Sequence, residues 1–286
     1  MTGFVCNTRR LISVEDQMTT RRALWCVLVA VAVTASACLQ PSAVGVQYSP
    51  TAHEPTLADV YPAANGGDLG TIVFVHGGGF QTGSRADITT YAGPVLAQTL
   101  RGWDVISIDY RFAAYPAAIH DLADAIDFVR SARGRLLGLS SRRIVVVGHS
   151  AGAAIATDLA LTANDGASGP FGELPKVDAW IAAAGLLDFT VAGPADAHDS
   201  WITSGHHDAS PITHLDAGDP LGLIIHGADD PIAGIGHALF FIQRARQVGH
   251  PTLYRIASDP GPCSGHMPLC EAVRPTLDGF LDAVAR

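Results

Sequence analysis

The feature that most constrains the fold is a repeated alternation between two apolar patterns. Short runs rich in Val and Ile, apolar at consecutive positions, lie over 71–75, 105–108, 143–147, 177–183, 221–226 and 252–256. Longer stretches with apolar residues every three or four positions lie between them, over 87–100, 118–133, 151–161, 236–248 and 272–284. The helix predicted over 118–133 shows the spacing best, with Ile119, Leu122, Ala123, Ile126 and Val129 on one face. A strand that is apolar on both faces must be covered on both. Strands alternating with helices therefore point to an α/β fold, a mostly parallel sheet between two helical layers. With 48% hydrophobic and 16% charged residues among 286, the chain can bury such a core and is not a disordered one. Residues 189–214 break the rhythm. They are polar and rich in Gly, Pro and His, and read as an excursion from the strand ends, a candidate cap.

The net charge of −9 argues against a nucleic-acid partner, which would require a basic footprint. At the N-terminus a thirteen-residue apolar run over 23–35 follows Arg21 and Arg22. The run is short for a bilayer span. A positive start, a short apolar stretch and the small residues Ala35-Ser36-Ala37 mark a secretory presequence over 1–37. Cys38 follows the cleavage site, so the stretch resembles a bacterial lipoprotein signal, in which that cysteine carries lipid; plain secretion is the other reading. Residues 38–55 then read as a tether, and 56–286 as the folded domain. Membrane association is expected only through a lipid on Cys38, because removing residues 1–37 makes the chain more acidic still. Cys6 and Cys26 leave with the presequence. The remaining pair, Cys263 and Cys270, is expected to be a disulfide in an oxidising compartment, with two free thiols as the alternative.

Two glycine motifs sit at predicted strand ends. Gly148-His149-Ser150-Ala151-Gly152 follows the strand over 143–147 and opens the helix over 151–161. A nucleophile on a sharp strand-to-helix turn needs small neighbours so that the two backbones can pass closely, and the helix N-terminus then faces it. His76-Gly77-Gly78-Gly79-Phe80 follows the strand over 71–75. Three successive glycines cost backbone entropy that a simple turn does not require. Their use is to aim backbone N–H groups, those of Gly78 and Gly79 together with Ala151, at an oxyanion. A phosphate-gripping loop is the competing reading, but no Lys follows and no G-x-G-x-x-G opens the next helix.

In this order and on these strand ends, the two motifs resemble the α/β-hydrolase fold, in its esterase branch with an H-G-G-G oxyanion loop. The stretch Ser107-Ile108-Asp109-Tyr110-Arg111, with Tyr115-Pro116 and Asp121, is similar to that branch as well. The resemblance implies that Asp109, Arg111 and Asp121 support the oxyanion loop. It also implies the chain order serine, acid, histidine. The acid lies three residues after Gly227, at Asp230, with Asp229 as a rival and Asp188 a more distant one. The base lies in the loop after the last strand, at His266, ahead of His237 and His250, which lie on or at the end of a predicted helix. His76 is expected to brace the oxyanion loop and His149 to pack. His198, His206, His207 and His214, with Asp196, Asp199 and Asp208, match no metal-ligand spacing, so neither metal nor cofactor is expected. The implied activity is hydrolysis of small-molecule esters through Ser150, and the polar character of 189–214, which offers no broad apolar wall, points to short or medium acyl groups. The alternatives are an arylformamidase-like amide hydrolase and a non-catalytic cell-surface binding protein on the same scaffold.

Overall fold

In a computed structural model, the structure describes residues 40–49, 56–166, 169–190, 207–258, 261 and 263–286. The presequence, Cys38 and most of the candidate cap, including Trp201 and His206, lie outside the described residues.

Eight strands form one sheet: β1 (Ala43–Gln47), β2 (Leu57–Tyr61), β3 (Gly70–Val75), β4 (Trp103–Ile108), β5 (Ile144–His149), β6 (Ala179–Ala183), β7 (Leu221–Gly227) and β8 (Leu253–Ala257). Their spatial order is β1-β2-β4-β3-β5-β6-β7-β8. β1 pairs with β2, and β2 with β4, antiparallel; every other pair is parallel. The eight α-helices of the described residues are α1 (Ile88–Tyr91), α2 (Gly93–Leu96), α3 (Ala117–Arg130), α4 (Ala132–Leu136), α5 (Ala151–Thr162), α6 (Pro211–His214), α7 (Gly236–Val248) and α8 (Arg274–Ala285). They cover both faces of the sheet. Two apolar clusters result, one centred on α3, α5 and α7, the other on α8 and the segment 88–96. β3, β4 and β5 are buried at every position, including the polar Thr71, Asp104, Ser107 and His149 that interrupt or end their apolar runs.

The predicted face of α3 is the one that is buried, with Ile119, Leu122 and Ile126 fully enclosed. The helix predicted over 118–133 nevertheless stops at Arg130. Ser131 turns to an extended conformation and its Oγ accepts the Gly134 N–H at 3.1 Å, capping α4. The helix predicted over 87–100 is likewise a chain of short pieces. Gly93-Pro94 opens α2, and a proline cannot continue the preceding turn. β8 was expected to be covered on both faces. It is the sheet edge, and Leu253 and Tyr254 are each 49% exposed.

The tether reading of 38–55 is corrected in part. Ala43–Gln47 adds a strand to the sheet, with Ala43 opposite Val60 and Gln47 opposite Leu57. Tyr48 is buried and its hydroxyl donates to the Asp109 carbonyl at 2.6 Å. The folded domain therefore starts before residue 56.

Candidate active site

The C-terminal ends of β3, β5, β7 and β8 open at the same rim of the sheet, and each contributes to the site. Ser150 stands between β5 and α5 at φ 54°, ψ −119°, a conformation that a side chain rarely adopts, and its N–H donates to the Ala183 carbonyl at 2.8 Å. The flanking glycines make this turn possible. A Cβ on Gly148 would lie 2.1 Å from the Gly152 carbonyl oxygen, and one on Gly152 would lie 2.2 Å from the Val75 and 2.4 Å from the His76 carbonyl oxygens. The steric demand inferred for the motif is thus met by backbone-to-backbone contact.

His266, in the loop after β8, brings its Nε2 to 2.9 Å from Ser150 Oγ. Its Nδ1 lies 2.8 and 3.0 Å from the two carboxylate oxygens of Asp230, in the loop after β7. The Asp230 side chain is fully buried, and Oδ1 also accepts the N–H groups of Ile232 and Ala233, each at 2.9 Å. Burial raises the pKa of this carboxyl, but the His266 hydrogen bond and the two amides outweigh it and hold the group below its ordinary value. Asp230 is therefore the carboxylate that meets the histidine. The rival Asp229 is exposed and makes no hydrogen bond to His266; it does not cap α7, whose N-cap is Ile235. Asp188 is engaged by the N–H and hydroxyl of Thr190. His237 accepts the Asp188 N–H at 3.3 Å, and His250 bonds Thr252 Oγ1 at 2.7 Å, so both serve the scaffold. Buried His226 donates to the Ala233 carbonyl at 2.7 Å and steadies the acid loop; burial lowers its pKa and keeps it neutral.

The glycine loop after β3 lies alongside. Gly78 and Gly79 have φ of 115° and 60°, and the following Phe80 has φ 62°. The Gly77 N–H donates to the Tyr91 hydroxyl at 3.1 Å, whereas the N–H groups of Gly78, Gly79 and Ala151 meet no acceptor among the described residues. A Cβ on Gly77 would come within 3.0 Å of Ser150 Cβ, which places this loop against Ser150. His76 braces the loop as expected. Its ring stacks on Tyr110 at 4.4 Å, and the Tyr110 hydroxyl donates to the His76 carbonyl at 3.2 Å. Burial lowers the His76 pKa.

The carboxylates expected to support the oxyanion loop pair with arginines. Asp121, buried on α3, takes the Arg111 backbone N–H at 2.8 Å and its guanidinium at 2.7 Å. Asp109 takes the backbone N–H of Arg85 at 2.7 Å, and the Arg85 guanidinium bridges Asp109 and Asp59. Arg85 opens the 3₁₀ turn Arg85–Asp87, which follows the glycine loop in the chain. The sequence carries no pattern that singles it out, beyond its being a basic residue shortly after that loop. Cys263 and Cys270 lie at disulfide distance, with Cα atoms 5.7 Å apart, and enclose His266 in their loop. Among the described residues no group of three or more His, Cys, Asp or Glu side chains could hold a metal.

A mostly parallel eight-stranded sheet with a serine elbow, an acid after β7 and a histidine after β8 is the α/β-hydrolase fold. Residues 58–243 match the BD-FAE family model, and the chain belongs to that family. Over 202 residues it is 33% identical to Esterase LipC of Mycobacterium tuberculosis, covering 62% of this chain and 48% of that protein. It is 28% identical over 202 residues to the probable carboxylic ester hydrolase LipM of the same organism, covering 63% and 46%. The chain thus spans about half the length of the curated relatives it matches. Among solved structures it resembles a truncated form of a carbohydrate esterase from gut microbiota, with a TM-score of 0.71, 21% identity and coverage of 86% of this chain and 97% of that one. Thermogutta terrifontis esterase 2, solved phosphonylated by sarin, gives a TM-score of 0.71 at 20% identity, with coverage of 86% and 96%. At this identity the two structures bear on the fold alone.

Proposed function

We propose that the protein is a serine hydrolase that cleaves carboxylic esters of short or medium acyl chains through an acyl-enzyme on Ser150, with no cofactor. The observation that carries the reading is the continuous hydrogen-bonded line from Ser150 Oγ through His266 to the Asp230 carboxylate. Asp230 accepts the Nδ1–H of His266 and so leaves Nε2 free as a base. As Ser150 Oγ attacks the ester carbon, Nε2 takes its proton, and Asp230 balances the imidazolium. The carbonyl oxygen becomes an oxyanion, for which the N–H groups of Gly78, Gly79 and Ala151 are the donors. One such donor is worth about 2.7–4 kcal/mol in comparable sites. The imidazolium then protonates the departing alcohol, leaving the acyl group on Ser150. Water, giving its proton to His266, attacks the acyl carbon. The acid leaves, and the proton returns to Ser150 Oγ.

The names of the sequence relatives, an esterase and a carboxylic ester hydrolase, favour an ester over an amide. Phe80 and Phe189, with ring centroids 6.3 Å apart, place compact apolar bulk beside the glycine loop, which suits a small acyl group better than a long chain. The test is a panel of nitrophenyl esters of increasing acyl length with an aryl formamide arm. Turnover should be greatest on the shorter esters and disappear in Ser150→Ala. A folded protein that turns over none of the panel would favour a binding role instead, and preference for the formamide would reassign the bond cleaved. We further propose that the protein is exported and that Cys38 is its lipid site. The intact mass of the exported protein reads out both the cleavage before Cys38 and the lipid.

A further inference from the structure

His149, between Gly148 and the nucleophile, was expected only to pack, but its ring makes contacts that a packing residue does not need. Its Nε2 lies 2.7 Å from the backbone carbonyl oxygen of His266, across 117 positions of sequence. A carbonyl only accepts, so Nε2 carries the proton and the ring is the Nε2–H tautomer. The other face of the network is the glycine loop. The His149 ring lies 4.5 Å from the Tyr91 ring, and the Tyr91 hydroxyl receives the Gly77 N–H at 3.1 Å. A Cβ on Gly77 would come within 2.8 Å of His149 Nδ1, so the ring and the loop backbone are in close contact. Nδ1 is buried and has no hydrogen-bond partner among the described residues. Burial depresses the pKa of His149 to about 4, so the ring stays neutral beside His266.

We propose that His149 is a positioning residue for the hydrolysis proposed above. It holds the backbone of the general base against the elbow, and through Tyr91 and Gly77 ties that base to the oxyanion loop. The structural reason is that His266 sits in a loop of irregular backbone, where a hydrogen bond on its own carbonyl sets where the imidazole starts. A displacement of about 1 Å at a reacting group can cost about 100-fold in rate. His149 is 2% exposed and offers a substrate almost no surface, so the effect belongs in kcat and not in KM.

This inference rests on the serine-hydrolase reading, and the experiment separates the two. Wild type, His149→Leu and His149→Gln are titrated with a fluorophosphonate to count reactive Ser150, and kcat is expressed per titrated site on a nitrophenyl ester. The glutamine Nε2 reaches about as far as the imidazole Nε2 and keeps the donor; leucine keeps bulk without it. The expected result is a loss of about 10-fold or more in kcat per site for His149→Leu, with KM within about twofold and His149→Gln restoring most of the rate. In the wild type, 15N shifts of His149 should report the neutral Nε2–H tautomer from about pH 5 to about pH 8. A leucine variant with normal kcat per site, a glutamine variant no better than leucine, or an Nδ1–H tautomer would overturn the assignment. A purely structural role would lower the titrated fraction and leave kcat per site unchanged, which also overturns it. A wild type that does not react with the phosphonate at all would instead remove the hydrolase reading beneath it.

Discussion

Replacing Asp230 by Asn changes one atom of the proposed triad, and the structure sets where that atom goes. The Ile232 and Ala233 N–H groups, both 2.9 Å from Oδ1, demand an acceptor there. The amide oxygen therefore stays at the Oδ1 position, and the NH₂ group falls where Oδ2 now lies, 2.8 Å from His266 Nδ1. Two donors cannot face each other at that distance. Oδ1 also lies 3.0 Å from Nδ1 but already accepts two backbone amides, so His266 is expected to shift its proton to Nε2 and present Nδ1 as an acceptor to the new NH₂ group. Nε2–H then points at Ser150 Oγ and cannot take its proton. In a comparable triad such an exchange lowers kcat by about 10⁴, equivalent to about 5.4 kcal/mol of transition-state stabilisation. The fold should survive, because both backbone donors keep their acceptor. Steady-state kinetics on a nitrophenyl ester, with circular dichroism to confirm folding, measures the effect. Activity within tenfold of wild type, or an equal loss in Asp229→Asn, would refute the tautomer argument.

Gly152→Ala forces a Cβ to 2.2 Å from the Val75 carbonyl oxygen, an overlap that only backbone movement relieves. It should cost about 3 kcal/mol and lower the thermal midpoint by roughly 6–12 °C. Burial raises the pKa of Asp219 to about 6, so between its unfolded value and pH 6 the folded state binds more protons and stability falls as pH rises. Asp219→Asn removes that slope. Urea unfolding should show the variant equal to wild type below about pH 4 and more stable by about 1 kcal/mol above pH 6. Opening the Cys263–Cys270 bridge with Cys270→Ser should cost about 2.5 kcal/mol by the loop-closure entropy of so short a loop, and should lower kcat because His266 lies inside it. Thermal unfolding with and without reductant and single-turnover kinetics check both parts.

The central sheet and the serine elbow are legible in the sequence because their physical demands are local. A buried parallel strand must be apolar at consecutive positions, as β3 and β5 are, and a close backbone crossing must be glycine, as at Gly148 and Gly152. The antiparallel edge is less legible. Ala43–Gln47 is short, carries Gly45 and is only half-buried, so nothing separates it from a tether until Leu57–Tyr61 is beside it. The break at Gly93-Pro94 is visible in the residues, but the apolar spacing runs across it and hides it. Asp229 is exposed and Asp230 buried against His266 in the same loop, a difference that family spacing predicts but periodicity does not. Arg85 and His149 show the limit most clearly. Each works through a partner distant in sequence, Asp109 and the His266 carbonyl respectively, and no local pattern marks either one.

The most direct test is to trap the acyl-enzyme. A reaction with a nitrophenyl ester is quenched with acid within the first turnover, and the protein is digested and mapped by mass spectrometry. One acyl group should be found on the peptide containing Ser150, and none in Ser150→Ala or His266→Ala. An adduct on another residue, or undiminished turnover by Ser150→Ala, would contradict the role given to Ser150 and everything built on it.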